Sequence, residues 1–449
     1  MKKIALLVIT AILLTIPSIC RAGDFQPLKP EMVDKIQALK EEVKARGGTY
    51  EVAYSAVMDR KKEHLTGLKV PPGWHKDDAP SVPMLGATTQ TLPSSLDWRS
   101  LKGVTPIKDQ GDCGDCWAFG TVGPLESQIL LQTGTASILS EQYLVSCNVD
   151  GWSCNGGWWA HNYHWDEDGQ DNNVPGAVLS SADLYTATDS PCGGTYSHPY
   201  KLNSWAYVAS EDAVPTVDEI KQAIYTYGPI AAAVYVGPLF EKYSGGIFNT
   251  SESGEINHAI VLVGWNDNGG NGYWILRNSW GASWGESGYM YIAYGTSQVG
   301  YAANFIEYGN GSPQPGPAPS PSPAPSPSPA EPDLTGVFEN LKSSNGGRTV
   351  TGNFVVENIG TAATTTWFRV FLYLSTNGKS KSELLGVAYV LNPIEPGGSV
   401  VLSFDEIFSS SVRGDYLIAV VDPDSRIPDS NRSYSVVVSN KIQAKKAAK

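Results

Sequence analysis

The chain has 449 residues, 41% of them hydrophobic, with 13 Trp and a formal net charge of −13. That length suits two or three domains of roughly 100–200 residues each, and the apolar and aromatic content supports packed cores rather than disorder. The acidic balance argues against nucleic acid as a partner and mainly serves solubility. No apolar run of membrane-spanning length follows the first residues, so a membrane-embedded protein is not expected.

At the N-terminus, Lys2 and Lys3 precede the apolar run Ile4 to Ile16, and Cys20-Arg21-Ala22 offers small residues for cleavage after Ala22. Residues 1–22 read as a secretory signal, which implies a secreted, extracellular or periplasmic protein. A lipid anchor at Cys20 is the rival reading, disfavoured by the bulky Ile19 before it. Loss of Cys20 leaves Cys113, Cys116, Cys147, Cys154 and Cys192. An odd number in an oxidising compartment implies disulfides plus one leftover thiol.

Over residues 23–91, Met32, Val33, Ile36, Leu39 and Val43 fall at helical spacing, with Lys40, Glu41, Glu42 and Lys44 on the other faces. Gly47-Gly48 ends that helix. The segment is either a functional leader or an amphipathic spacer.

Gln110-Gly111-Asp112-Cys113-Gly114-Asp115-Cys116-Trp117 then runs into an apolar helical segment containing Phe119, Val122, Leu125, Ile129 and Leu130. Cys116 would stand at the helix start, where free N–H groups stabilise an anion and favour the reactive thiolate. Gln110 offers an amide donor that could hold an oxyanion beside the Cys116 N–H. A redox or metal reading of Cys113 and Cys116 lacks a second Cys/His pair at zinc spacing.

Ser140 reads as the cap of a following helix. His161 and His164, followed by Asp166, Glu167 and Asp168, have some makings of a metal site; without a matching ligand set the segment reads as a solvated acidic loop. From Ile230 the chain turns to β-type runs, Ile230 to Val236, Ala259 to Val263 and Tyr273 to Leu276, between Gly-rich turns.

Residues 310–332 form a Pro/Ser/Ala spacer that favours extended polyproline II. Residues 333–443 read as all-β: Phe368, Val370, Leu372 and Leu374 alternate with Trp367, Arg369, Phe371 and Tyr373, and Pro396-Gly397-Gly398 separates two strands. Short strands at regular spacing suggest an immunoglobulin-like sandwich. Asp422, Asp424 and Asp429 read as turn residues, with calcium binding as the alternative. Residues 444–449 are a basic tail.

Cys113-Gly114-Asp115-Cys116-Trp117 resembles the active-site signature of papain-like cysteine proteases, Cys-Gly-[Ser/Ala]-Cys-[Trp/Tyr], with Asp115 departing at the third position. Asn257-His258-Ala259-Ile260-Val261 resembles the segment supplying that family's general base. Asn278-Ser279-Trp280-Gly281, followed by Trp284-Gly285, resembles the block whose Asn orients the base. The spacing from Cys116 to His258 lies within the span of about 130–150 residues for such partners. Residues 333–443 resemble CARDB-type domains, notably in Asn358-Ile359-Gly360 and Asp422-Pro423-Asp424.

The resemblance implies an α+β papain-like two-lobed fold, a helical lobe plus a β-rich lobe over residues 92–309, followed by an all-β immunoglobulin-like sandwich. It implies catalytic roles for Cys116, His258, Asn278 and Gln110, with Cys116 and His258 resting as a thiolate–imidazolium pair whose thiol pKa is about 3–4. It implies disulfides Cys113–Cys154 and Cys147–Cys192, with Cys116 free. Gly156 and Gly157 would admit a substrate backbone, and Trp158 and Trp159 would form an apolar wall favouring a bulky apolar P2 residue. Trp159 as plain core is the alternative. Trp280 would line the substrate site and shield the His258–Asn278 bond. Asp115 is expected to face solvent and do little, with a raised thiol pKa or a shifted pH optimum as the alternative.

By position residues 23–91 resemble a propeptide of a short or divergent type. The expected function is a secreted cysteine endopeptidase made as a zymogen, acting on protein or peptide substrates through a Cys116 thioester, with no cofactor and no metal. A protein or cell-surface ligand is left open for the C-terminal domain. Two other functions stay open: a surface or matrix binding protein acting through that domain, and a thioester transpeptidase.

Overall fold

The computed structural model describes residues 30–69, 92–171, 174–267, 270, 272–309, 331–423, 427 and 436–443. The expected signal, most of the Pro/Ser/Ala spacer, the basic tail, Asp424 and Asp429 lie outside the described residues.

The first described segment is a helix, α1 (Pro30–Ala45), followed by a short strand, β1 (Glu51–Val52), a 3-10 turn at Ala56–Asp59 and one helical turn, α2 (Lys62–Leu65). Proline begins α1, where its missing N–H costs nothing. Of the expected apolar stripe, Ile36 and Val43 are buried and Met32 and Leu39 pack partly buried, whereas Val33 is exposed. The chain then runs extended through Gly67, Leu68 and Lys69.

Next come β2 (Ser95–Asp97), α3 (Cys116–Thr133), α4 (Glu141–Cys147), α5 (His161–Trp165), β3 (Ser204–Tyr207), α6 (Val217–Tyr227), β4 (Ile230–Val234), α7 (Pro238–Glu241), β5 (Tyr243–Gly245) and β6 (Ile247–Phe248). The region closes with β7 (His258–Asn266), β8 (Tyr273–Arg277), β9 (Tyr289–Ala293) and β10 (Tyr301–Glu307). One sheet runs in the order β3-β10-β4-β7-β8-β9-β6, with β2 pairing β7. Two apolar clusters mark the lobes: one around α3, α4 and Trp158, Trp159 and Trp205, the other around Trp265, Trp274, Trp280 and Trp284.

The sequence explains the helix starts. Ser140 Oγ accepts the Tyr143 N–H at 3.0 Å, capping α4 as expected. A capping box of Thr216 and Glu219, which the sequence reading passed over, starts α6. Helix α3 is apolar nearly all round, as a buried helix must be. Its Gly120 and Gly123 face β7 so closely that a Cβ would lie 2.9 Å from Ala259 Cβ or 2.8 Å from Val261 Cγ2. Glycine inside a helix costs about 1 kcal/mol, and here it lets α3 lie against the sheet. Two disulfides form, Cys113–Cys154 and Cys147–Cys192.

His161–Trp165 departs from the expected solvated loop: it is the short helix α5, with His161, Tyr163 and His164 buried, while Asp166 and Asp168 just beyond it are exposed. His161 Nε2 bonds to Asn304 Oδ1 at 2.8 Å. Aromatic packing against Trp159 and Trp205 outweighs the polarity of the imidazole.

The C-terminal region is a sandwich. Strands β11 (Leu334–Ser344), β12 (Thr349–Asn358), β13 (Phe368–Ser375), β14 (Glu383–Val390), β15 (Ser399–Ile407), β16 (Tyr416–Val421) and β17 (Val436–Val438) form two sheets, β11-β12-β15 and β14-β13-β16-β17. Phe354, Val356, Phe368, Val370 and Leu402 fill the space between them. Asp422 Oδ2 accepts the Ile427 N–H at 2.9 Å, as a turn residue does. Among the described residues no helix is long and apolar enough to cross a membrane.

Candidate active site

Cys116 is the first residue of α3 and has no exposed surface. The close approach of α3 to β7 brings its Sγ to the Ala259 N–H, which donates to it at 3.4 Å. His258 begins β7, and the pairing of Val261 with Arg277 across β7 and β8 carries Asn278 beside it. Asn278 Oδ1 lies 2.8 Å from His258 Nε2 and also accepts the Ser279 N–H at 2.8 Å. An oxygen that already accepts from a backbone N–H requires Nε2 to be the donor. The second nitrogen, Nδ1, is therefore the basic one, and it is buried without a hydrogen-bond partner. Trp280 covers the ring, with centroids 4.8 Å apart.

Gln110 is oriented by a residue that the sequence reading left without a role. Ser279 Oγ–H donates to Gln110 Oε1 at 2.7 Å, which turns Nε2 the other way. Nε2 donates to the carbonyls of Cys113, at 2.9 Å, and of His64, at 3.0 Å. Only the quoted Asn-Ser-Trp block signalled Ser279.

The second of those carbonyls belongs to the leading segment, which runs through the site. Trp280 Nε1–H donates to Leu65 O at 2.9 Å, and the Gly67 and Leu68 N–H groups donate to Asn257 O at 3.0 and 3.1 Å. Leu68 forms a parallel bridge with Gly157: the Gly157 N–H donates to Gly67 O at 3.0 Å and the Lys69 N–H to Gly157 O at 2.9 Å. A Cβ on Gly67 would lie 1.8 Å from Gly114 O, so only glycine passes there. A Cβ on Gly156, at φ +123°, would meet Gly67 O at 2.7 Å. Leu68 is buried with the apolar residues of the helical lobe.

Burial sets the electrostatics. It pushes the Cys116 thiol up to about 12, reinforced by Asp115 and opposed by the Ala259 N–H. It pulls the His258 ring down to about 4, against the Asn278 hydrogen bond. With the segment in place, burial favours the neutral thiol and the neutral imidazole over the ion pair expected of the working enzyme. Excluding water removes the solvation that separated charges need.

Asp115 also departs from expectation. It is fully buried rather than solvent-facing, and Tyr185 Oη lies 3.0 and 2.8 Å from its two oxygens and 2.8 Å from Gln110 O. Burial holds its carboxyl well above the usual range despite the Tyr185 bond. A further buried cluster under the site went unforeseen: Lys108 Nζ lies 2.6 Å from both Glu126 Oε1 and Glu141 Oε1.

Trp158 is the last correction. Expected on the cleft wall, it is a core residue whose Nε1–H donates to Tyr207 Oη at 3.1 Å and whose ring packs against Trp159. A buried indole needs one acceptor, and Tyr207 supplies it inside the lobe. Trp159 is also core, at 1% exposure, though its Nε1–H finds no acceptor among the described residues. Among the described residues no group of His, Cys, Asp and Glu is placed to hold a metal ion.

A thiol at a helix start, an imidazole with its free nitrogen unpaired, and a carboxamide fixing that imidazole are the groups that thiol-dependent acyl transfer would need. Comparisons with known proteins show the family of the chain. The family described as Papain family cysteine protease matches residues 92–308, and CARDB matches residues 331–436. Digestive cysteine proteinase 1 of Homarus americanus is 34% identical over 251 residues, 55% of this chain and 75% of that protein. A cysteine proteinase of Trypanosoma brucei brucei is 35% identical over 214 residues, spanning 48% of this chain and less than half, 46%, of that protein. The solved digestive procathepsin L2 proteinase of Tenebrio molitor larval midgut shares 28% identity at a TM-score of 0.54, covering 63% of this chain and 95% of that one. The chain belongs to the papain family of cysteine proteases and carries a CARDB domain after it.

Proposed function

We propose that this chain is an exported cysteine endopeptidase made as a zymogen, with residues 23–91 as the pro-segment and 92–309 as the peptidase. The observation that carries this reading is the leading segment threaded through the site, its His64 carbonyl occupying the Gln110 amide and its Leu68 bridging Gly157. The likeness to a procathepsin over most of that chain supports it, and two disulfides fit an oxidising compartment.

Once the segment leaves, water reaches the site and the penalty on separated charges falls. The Cys116 proton then passes to His258 Nδ1, giving thiolate and imidazolium. The thiolate attacks the scissile carbonyl, and Gln110 Nε2 and the Cys116 N–H hold the oxyanion. The imidazolium gives its proton to the leaving amine, leaving a thioester; water, deprotonated by His258, then releases the acid. Asn278 and Trp280 keep the ring in register throughout. The burial of Leu68 supports a preference for an apolar substrate side chain next to Gly157.

Incubation of the purified full chain in mild acid with reductant tests the reading. Wild type should lose an N-terminal piece of about 70 residues, the stretch between the expected signal and Leu92, and gain peptidase activity. Cys116→Ala should stay intact. Processing of both proteins at the same rate would overturn self-cleavage.

A further inference from the structure

The C-terminal sandwich has one sheet face whose occupant is visible. Strand β13 is apolar on both sides, and the two sides meet different partners. Phe368 and Val370 face the other sheet of the sandwich. Phe371 and Tyr373, with Ile418 and Val420 of β16, pack instead against Ile36, Ala53, Tyr54 and Ala56 of the leading segment, and among the described residues no peptidase residue enters that cluster. The leading segment in turn has two faces. Val43, Tyr50, Val52, Val57 and Leu65 are buried in the peptidase core, while Ala53, Tyr54 and Ala56 are buried by the sandwich.

Polar contacts follow the same division. Tyr373 Oη–H donates to Tyr54 O at 2.8 Å, and the Tyr54 ring lies 5.5 Å from that of Phe371. Arg369 pairs with Asp59 at 2.9 Å, Lys40 Nζ donates to Ser382 O at 2.7 Å, and Ser382 Oγ–H donates to Glu51 at 2.9 Å. The sandwich also meets the peptidase itself: Lys381 Nζ donates to Ser283 O at 2.7 Å and lies in the field of Glu286, and Ser283 Oγ–H donates to Pro423 O at 3.0 Å.

We propose that the partner of the β14-β13-β16 face is this chain's own leading segment, residues 36–59, so that the sandwich forms the outer half of the pro-segment's binding site. The proposal rests on the reading of that segment as a pro-segment. The segment is held between two domains, and its release requires parting from both. Without the segment, the apolar face of Phe371, Tyr373, Ile418 and Val420 loses its cover, and the sandwich loses the apolar part of its hold on the rest of the chain.

The test uses the full Cys116→Ala chain with a site for an unrelated protease inserted in the Pro/Ser/Ala run near residue 320. After cleavage there, the sandwich should co-elute with the rest of the chain on size exclusion. Tyr54→Ala with Ala56→Asp, which alters only the leading segment, should weaken that association by about tenfold or more, the scale for a central buried aromatic. Asp59→Arg and Arg369→Glu should each weaken it and, combined, restore it in part; this pair keeps the test decisive if the first variant loosens the segment everywhere. A sandwich that elutes free from the unsubstituted chain overturns the proposal. So does one held equally tightly by every variant, since Lys381 and Ser283 would then suffice. The thiol is absent throughout, so either result leaves the peptidase reading untouched.

Discussion

Asp115 stands next to the nucleophile with its carboxyl buried against Tyr185, and its charge is the local cost of the sequence departing from Ser or Ala there. Its folded pKa is raised, so the proton is bound more tightly in the folded than in the unfolded chain. Its contribution to stability is complete below the unfolded value of about 3.9 and is lost as pH rises through the folded value. Asp115→Asn should therefore match wild type below about pH 4 and exceed it increasingly toward neutral pH, by about 2–4 °C in Tm for each kcal/mol. Melting curves of the Cys116→Ala form from pH 3.5 to 8 check this, and a gap independent of pH would refute it. Gln110 gives a second residue-scale outcome. Gln110→Ala should lower kcat of the mature enzyme by about 10²–10³ with little change in KM. Ser279→Ala, which frees the Gln110 amide to turn, should lower kcat by less.

At the scale of elements, the placement of the thiol depends on how closely α3 lies on β7, and its silence on how closely the leading segment lies on Gly114. Gly67→Ala puts a Cβ 1.8 Å from Gly114 O, so the segment must lift. Thiol-reagent labelling of Cys116 in the unprocessed chain should then speed up by about tenfold for every 1.4 kcal/mol lost from the closed state; an unchanged rate would show that the segment does not cover the thiol. Gly120→Ala acts from the other side, crowding Ala259 and Trp159. It should lower the activity of the processed enzyme while leaving its fold cooperative, read by kinetics beside a melting curve.

Over the whole molecule, legibility followed the range of the interactions. The thiol, imidazole and carboxamide could be read because each sits in a short motif with its own local geometry. Trp158 could not, because adjacent aromatics do not reveal which faces a cleft and which finds Tyr207, 49 residues on. The burial of Asp115 depends on Tyr185, 70 residues away. The contact of the leading segment with the sandwich joins residues 319 apart in the case of Tyr54 and Tyr373. One signal of it was present: β13 alternates between two sets of apolar residues, and a strand apolar on both sides is covered on both. The sequence named the sandwich from that strand but not its second cover.

The central claim is that Cys116 is a nucleophile kept neutral and covered until the leading segment departs. Labelling with a peptidyl epoxide bearing an apolar P2 residue, mapped by mass spectrometry before and after processing, tests it most directly. The expected result is no label on the unprocessed chain and one label, on Cys116, once the N-terminal piece is gone. A processed protein that takes no label at Cys116 and cleaves no peptide would contradict the account.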